Sequence, residues 1–198
     1  MIYMYGIIIA LIAYLIGSIP TGYLIVKAKT GQDIREVGSG STGATNVKRV
    51  LGKKWFFTVM VLDAIKGALP VFLVKFIMSD ALGIFAVIAS ICVIIGHSKP
   101  VFLQFKGGKS VASGVGTLIA LNPVVGISTA VIWAIITYIS KYVSLGSIIA
   151  VSIAPFIMYF LKNPIFYTIY CALAAIYIIY LHRQNIKRLI KGEENKVR

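Results

Sequence analysis

The sequence predicts an all-α integral membrane protein, with seven transmembrane helices in one bundle, the N-terminus outside and the C-terminus cytoplasmic. Three observations carry that prediction. Hydrophobic residues fill 59% of the 198 positions and charged residues only 13%, which excludes an ordinary soluble domain. Seven apolar runs follow one another, and in lipid a helix is how each such run satisfies its own backbone. The 20 Lys+Arg outnumber the 6 Asp+Glu and gather between alternate runs, the bias that orients membrane proteins. At this length the chain makes one bundle with little room for anything outside it, so residues 1–198 read as a single domain.

The runs are 2–26, 54–78, 81–96, 111–121, 124–140, 144–161 and 164–181. The first lacks a positive leader and continues to Val26, too long for a signal peptide, so it reads as a retained span. The second carries Asp63, Lys66 and Lys75. Asp63 and Lys66, at i and i+3, are expensive in lipid and are expected to partner each other inside the bundle. Run 111–121 is short, since eleven residues at about 1.5 Å each reach only about 16 Å. Charge parity nevertheless requires it to cross. With seven crossings, residues 27–53, 97–110, 141–143 and 182–198 share one face and, counting Lys54 at the edge of the next run, hold 17 of the 20 Lys+Arg. Without it the basic tail falls outside, against the positive-inside rule. Asn122-Pro123 and Asn163-Pro164 mark tight outside turns, because the residue before proline is pushed out of the helical region. Cys92 and Cys171 lie within apolar runs and read as packing residues, with no disulfide or metal site. The net charge of +14 would suggest nucleic acid on a soluble protein; between apolar runs it speaks for orientation and anionic headgroups instead.

The polar islands of the basic face carry the chemistry. In Gly38-Ser39-Gly40-Ser41-Thr42-Gly43-Ala44-Thr45-Asn46-Val47-Lys48-Arg49-Val50-Leu51-Gly52, glycines alternate with hydroxyl side chains. A short helix is expected from about Gly43 to Leu51, closed by Gly52. It would aim its positive N-terminal end into the loop, and Arg49 could offer a fork to a phosphate. The second island, Gly96 to Ser110, ends Lys106-Gly107-Gly108-Lys109-Ser110. Glycines there let backbone N–H groups converge on an anion, and the lysines supply charge. A nucleotide P-loop is excluded, because it needs glycine five places before Gly108, where Leu103 stands, and a strand ahead of it. In the third island, Lys141 to Ser147, Ser144 and Ser147 fall on one helix face. The tail supplies His182-Arg183-Gln184-Asn185, with Ile186, Leu189 and Ile190 at helical spacing.

This inventory is poor in acids and bases. The six carboxylates form no Mg²⁺ or Zn²⁺ pattern, and neither His97 nor His182 is followed five positions on by an Asp: Phe102 and Lys187 stand there. What remains is donors and cations, suited to electrostatic stabilisation of a substrate that is already activated. An acyl phosphate is such a substrate, with a good leaving group whose own oxygen can accept a proton.

Gly17-Ser18-Ile19-Pro20, the Gly38–Gly52 run, Gly96–Ser110, Tyr142–Ser147 and His182-Arg183-Gln184-Asn185-Ile186 together resemble the successive motifs of the bacterial acyl-phosphate:glycerol-3-phosphate acyltransferases, the PlsY family, nearly end to end. The resemblance implies a multi-pass enzyme of the bacterial plasma membrane, with its active site on the cytoplasmic side. It would move a fatty acyl chain from acyl phosphate to the 1-hydroxyl of sn-glycerol 3-phosphate, giving lysophosphatidic acid and phosphate, without metal or cofactor. On the family pattern, Ser39, Thr45, Arg49, Gly107, Gly108 and Lys109 would bind substrate phosphate, and Lys109, Ser147, His182 and Asn185 would be catalytic. The glycine loop would be the glycerol-phosphate site. His182 would either position the hydroxyl or act as a weak base, with the leaving phosphate as the other proton acceptor. Position 41 is Ser where relatives often have Asn, so it carries no role. A transporter or channel for a phosphorylated anion is the alternative, but it does not explain why the polar residues share one face.

Overall fold

The structure is a computed structural model that describes residues 2–78 and 83–197. Asp80 and the first two residues of run 81–96 lie outside the described residues. Ten α-helices are present among those described, and no strand: α1 Ile2–Ser18, α2 Thr21–Thr30, α3 Ala44–Leu51, α4 Lys53–Ile77, α5 Ile84–Ser98, α6 Val111–Leu121, α7 Pro123–Ser140, α8 Val143–Phe160, α9 Ile165–Leu181 and α10 Arg183–Ile190. Each predicted apolar run is helical over most of its described length, the first as two helices. Tyr3–Thr30, Lys53–Ile77, Ile84–Leu103, Pro123–Ser140 and Val143–Phe160 are long and apolar enough to cross a membrane. α9 is followed by α10 after a 61° bend, and α6 is apolar but shorter.

The first run is broken where the sequence reading had one span. Pro20 has no N–H to continue the ladder, so α1 stops at Ser18 and α2 restarts at Thr21. The polar groups freed inside the bundle find partners on α4. Lys66 Nζ donates to Ile19 O at 2.7 Å and pairs with Asp63 Oδ1 at 2.9 Å, while Thr21 Oγ1 donates to the same carboxylate. The expected Asp63–Lys66 pair therefore also mends a broken helix, which accounts for two charges buried at membrane depth.

Helix packing uses small residues to bring backbones together. α1 crosses α5, and α4 crosses α6. A side chain on Gly17 would strike the Val93 backbone, and one on Gly96 would strike Tyr14 O and Ser18 N. At the second crossing Gly67 faces the Ser113 backbone and Gly116 faces that of Ala64. The short α6 is thereby sunk into protein, with Ser113, Gly114, Gly116, Thr117, Leu118, Ala120 and Leu121 buried. Its carbonyl end is finished by Lys75, whose Nζ donates to Ala120 O at 2.8 Å and Leu121 O at 2.9 Å, a cation where the helix dipole favours one. The two Asn-Pro turns form as expected and are tied together. Asn122 Oδ1 accepts from Val124 N–H at 2.9 Å, and Asn122 Nδ2 donates to Asn163 Oδ1 at 2.9 Å.

Because α4 and α6 touch backbone to backbone, Gly116→Leu is expected to lower stability by about 1–3 kcal/mol or more through overpacking. Thermal unfolding of purified protein in detergent reads this as a lowered Tm, while an exposed substitution such as Ile176→Leu leaves Tm in place.

Candidate functional site

α3 forms over nearly the stretch predicted for it, with Gly43 before it and Gly52 ending it. What holds the preceding loop is Asn46, buried at 1% exposure. Its Nδ2 lies within hydrogen-bond reach of three carbonyls, Ile34 O, Val37 O and Ser41 O (3.1, 2.8 and 3.0 Å), and its Oδ1 accepts from Ser39 N–H at 2.9 Å. One amide thus gathers a loop that has little secondary structure of its own. Arg35 adds a second tie. It grips Asp33, Nη2 to Oδ2 at 2.6 Å, and donates to Leu103 O at 3.3 Å, joining the first island to the second. The guanidinium holds the Asp33 carboxyl below its usual range, chiefly through that hydrogen bond. Ser39 and Arg49 are exposed and Thr45 half-buried, and α3 has no side-chain cap at its N-terminus.

The glycine loop is built differently from the anion cradle expected of it. Gly107 N–H donates to Ser98 O at 3.2 Å and Gly108 N–H to His97 O at 3.1 Å, so both donors are turned onto the end of α5. Left-handed backbone falls on Gln104, Phe105 and Ser110 (φ 54°, 61° and 61°), not on the glycines. Gly107 and Gly108 are required by close approach: a Cβ on Gly107 would meet His97 O, and one on Gly108 would meet the His97 imidazole. The loop presents Lys109 and the uncapped start of α6.

Lys109 is where the islands meet. Its Nζ donates to Asn185 Oδ1, which brings the tail to the glycine loop. Asn185 Nδ2 donates to Glu194 Oε1 at 2.7 Å, Ser144 Oγ donates to the same oxygen at 2.8 Å, and Arg188 Nε donates to Glu194 Oε2 at 2.7 Å. Val197 N–H closes the strap on Lys141 O at 2.7 Å. Burial pushes Lys109 down to about 8, opposed by Glu194 and reinforced by the nearby charges of Arg188 and Arg49. Glu194 is held below its usual range by donors from Asn185, Ser144 and Arg188 despite partial burial.

Of the residues picked from sequence, Arg49, His182 and Asn185 are brought within interaction range of Lys109. His182 is 3% exposed, and its Nδ1 pairs with Ile178 O at 2.8 Å. A carbonyl only accepts, so Nδ1 carries the proton and Nε2 is the nitrogen with a lone pair to accept one. Ser147 is buried beside them, but its hydroxyl is bonded back to Val143 O at 2.8 Å, and Ser144 is the serine that reaches the tail. Sequence reasoning missed Asn46 and Glu194, and it put Ser144 on a helix face with Ser147 without giving it a role. Glu194 left a trace only as one of very few carboxylates in a basic chain. Among the described residues no group of three His, Cys, Asp or Glu is placed to hold a metal ion. An apolar cleft lies chiefly between α6, α8 and α9, lined by Val111, Gly114, Leu118, Val151, Ala154 and Ile178, with Ile94 of α5 and Thr129 of α7 completing its wall.

A profile described as glycerol-3-phosphate acyltransferase matches residues 7–192. Similar sequences include a glycerol-3-phosphate acyltransferase of Nostoc sp., 43% identical over 96% of this chain and 90% of its own. Those of Synechococcus elongatus and Clostridioides difficile are 45% and 40% identical, over 96% of this chain and 93% and 95% of theirs. Two crystal structures of PlsY (YgiH), an integral membrane glycerol 3-phosphate acyltransferase, superpose on it. The glycerol 3-phosphate form has TM-score 0.91 and 38% identity, covering 98% of this chain and 96% of that one. The lysophosphatidic acid form has TM-score 0.88 and 36% identity, covering 98% and 95%. These relatives favour the enzyme reading over the transporter.

Since Asn46 alone ties Ser39 to three carbonyls, Asn46→Leu is expected to free the loop at about 1–3 kcal/mol for each buried polar group left unpaired. Hydrogen exchange of the amides from 34 to 43 would then speed by an order of magnitude or more, with α4 and α5 unchanged.

Proposed function

The chain belongs to the glycerol-3-phosphate acyltransferase family, and from that premise we propose that it transfers a fatty acyl group from acyl phosphate to the 1-hydroxyl of sn-glycerol 3-phosphate. The products are lysophosphatidic acid and inorganic phosphate. The observation that carries this reading is the convergence of Lys109, Arg49 and Arg188 beside an apolar cleft that begins at Val111 and Ile178. Those positions stand two residues after Lys109 and four before His182, so a headgroup and an acyl tail would be served side by side. In this reading the enzyme sits in the bacterial plasma membrane with seven crossings, the N-terminus outside and the site on the cytoplasmic face, a sidedness supported by the charge bias of the loops.

Lys109 and Arg49 hold the phosphates of acceptor and donor, helped by the uncapped N-terminal ends of α3 and α6. Gly107 and Gly108 act by seating Lys109 and not as donors. Ser39, Thr45, Ser147 and Asn185 orient the two substrates. The glycerol hydroxyl attacks the acyl carbonyl, the carbonyl–phosphate bond breaks, and the hydroxyl proton passes to His182 Nε2 or to the departing phosphate. Electrostatic hold and placement carry the rate, placement alone giving on the order of 7–11 kcal/mol in favourable cases.

Phosphate release from acyl phosphate by the purified protein, dependent on glycerol 3-phosphate, is the expected result. Anion flux in proteoliposomes without product would favour the transporter. Lys109→Ala and Arg49→Ala each remove a charged phosphate contact and are expected to lower kcat/KM by about 10- to 100-fold; near-normal turnover and KM in both would overturn these roles. Because the free enzyme's Lys109 loses its proton near 8, kcat/KM for glycerol 3-phosphate is expected to fall as pH rises through that value. In Lys109→Arg, whose side chain stays charged, that limb is expected to move to higher pH.

A further inference from the structure

His97 is a buried histidine for which the reaction above has no use. It lies in the last turn of α5 and is 6% exposed. On the membrane side its Nδ1 faces Asp63 Oδ1 at 3.8 Å and has no hydrogen bond among the described residues. That carboxylate is itself fixed by Lys66 and Thr21, so the ring has an immobile charge behind it. On the other side, the imidazole sits against Gly108 so closely that a methyl group there would strike Nε2 and crowd Cδ2 and Cε1. The backbone repeats the contact, with His97 O and Ser98 O taking the N–H groups of Gly108 and Gly107. Gly108 directly precedes Lys109.

We propose that His97 is a positioning residue for glycerol 3-phosphate, setting the height of Lys109 above the membrane by supporting Gly107 and Gly108, with Asp63 holding its ring from behind. The proposal rests on the reading of the glycine loop as the glycerol-phosphate site. His97 touches no substrate in this scheme; its effect passes wholly through the loop. A lysine charge displaced by an ångström weakens its hold on phosphate while disturbing the acyl cleft less, since that cleft is lined chiefly from α6, α8 and α9 and takes only Ile94 from the helix of His97. The ion pair that mends the α1–α2 break thereby also sets the depth of the phosphate site.

The test is steady-state kinetics on purified full-length protein in detergent, together with calorimetric binding of sn-glycerol 3-phosphate. His97→Ala is expected to raise KM for glycerol 3-phosphate by about tenfold, with kcat and KM for acyl phosphate within about threefold of the parent. His97→Gln, which keeps the bulk, and Asp63→Asn, which keeps the shape, are expected to shift the same parameter by less, and they carry the test if His97→Ala does not fold. A loss of Tm alone would not separate the two KM values, so the split reports positioning. In the Gly108→Ala background the new methyl group presses on the ring, and His97→Ala is expected to recover glycerol 3-phosphate affinity there. A fall in kcat with unchanged KM, an equal rise in both KM values, or strictly independent effects of His97→Ala and Gly108→Ala would overturn the proposal. If the parent protein binds no glycerol 3-phosphate, the loop is not its site and both readings fall. If the parent binds and His97→Ala and Asp63→Asn bind equally well, only the positioning role falls.

Discussion

Lys109 has to keep a positive charge while drawn largely out of water and placed near two other cations, Arg49 and Arg188. Desolvation and like-charge repulsion both push its proton off, and the polar end of the bundle is organised around countering them. Asn185 accepts from its ammonium, and Glu194 supplies the nearby negative charge. A dianionic phosphate arriving there would relieve the same strain more strongly than one carboxylate can. A site that is electrostatically unsatisfied without its ligand gains more from binding it, which is how a pocket with no strong base can still favour one substrate.

Placing that lysine is a problem of helix geometry. α6 is too short to cross by length alone; it lies buried against α4, and Lys75 finishes its far end. α1 breaks at Pro20, and the ion pair on α4 takes up the freed groups. Both of these irregular helices pack against α4, whose Asp63 also stands behind His97. Irregular backbone at membrane depth is tolerated where protein surrounds it, and here it brings polar loops to the mouth of an apolar cleft.

Much of this was readable in advance because it rests on local chemistry. The seven runs, the α3 helix between Gly43 and Gly52, the two Asn-Pro turns and the Asp63–Lys66 pair follow from hydropathy, capping and spacing. The family resemblance named Lys109, Asn185 and His182 together, and the fold brings them to one place. What escaped depends on contacts distant in sequence. Nothing in the first island marks Asn46 as its anchor, because all four of its partners precede it, spread from Ile34 to Ser41 over a stretch with little regular structure. Glu194 reaches Ser144 across fifty residues. The glycines of the second island suggest an N–H cradle; only the packing of α5 beneath them shows that they are small to let His97 in. Pro20 was visible, but an apolar run does not disclose that a break inside it will be mended by charges forty residues on.

The most direct test is the position of the phosphate in a structure of this protein bound to sn-glycerol 3-phosphate in lipid. With Lys109 as the central contact, the phosphate is expected in hydrogen-bonding contact with Lys109 Nζ, beside Asn185 and at the mouth of the cleft between α6, α8 and α9. A phosphate bound away from Lys109, for instance on the exposed Arg183 and Lys187 of α10, would contradict it.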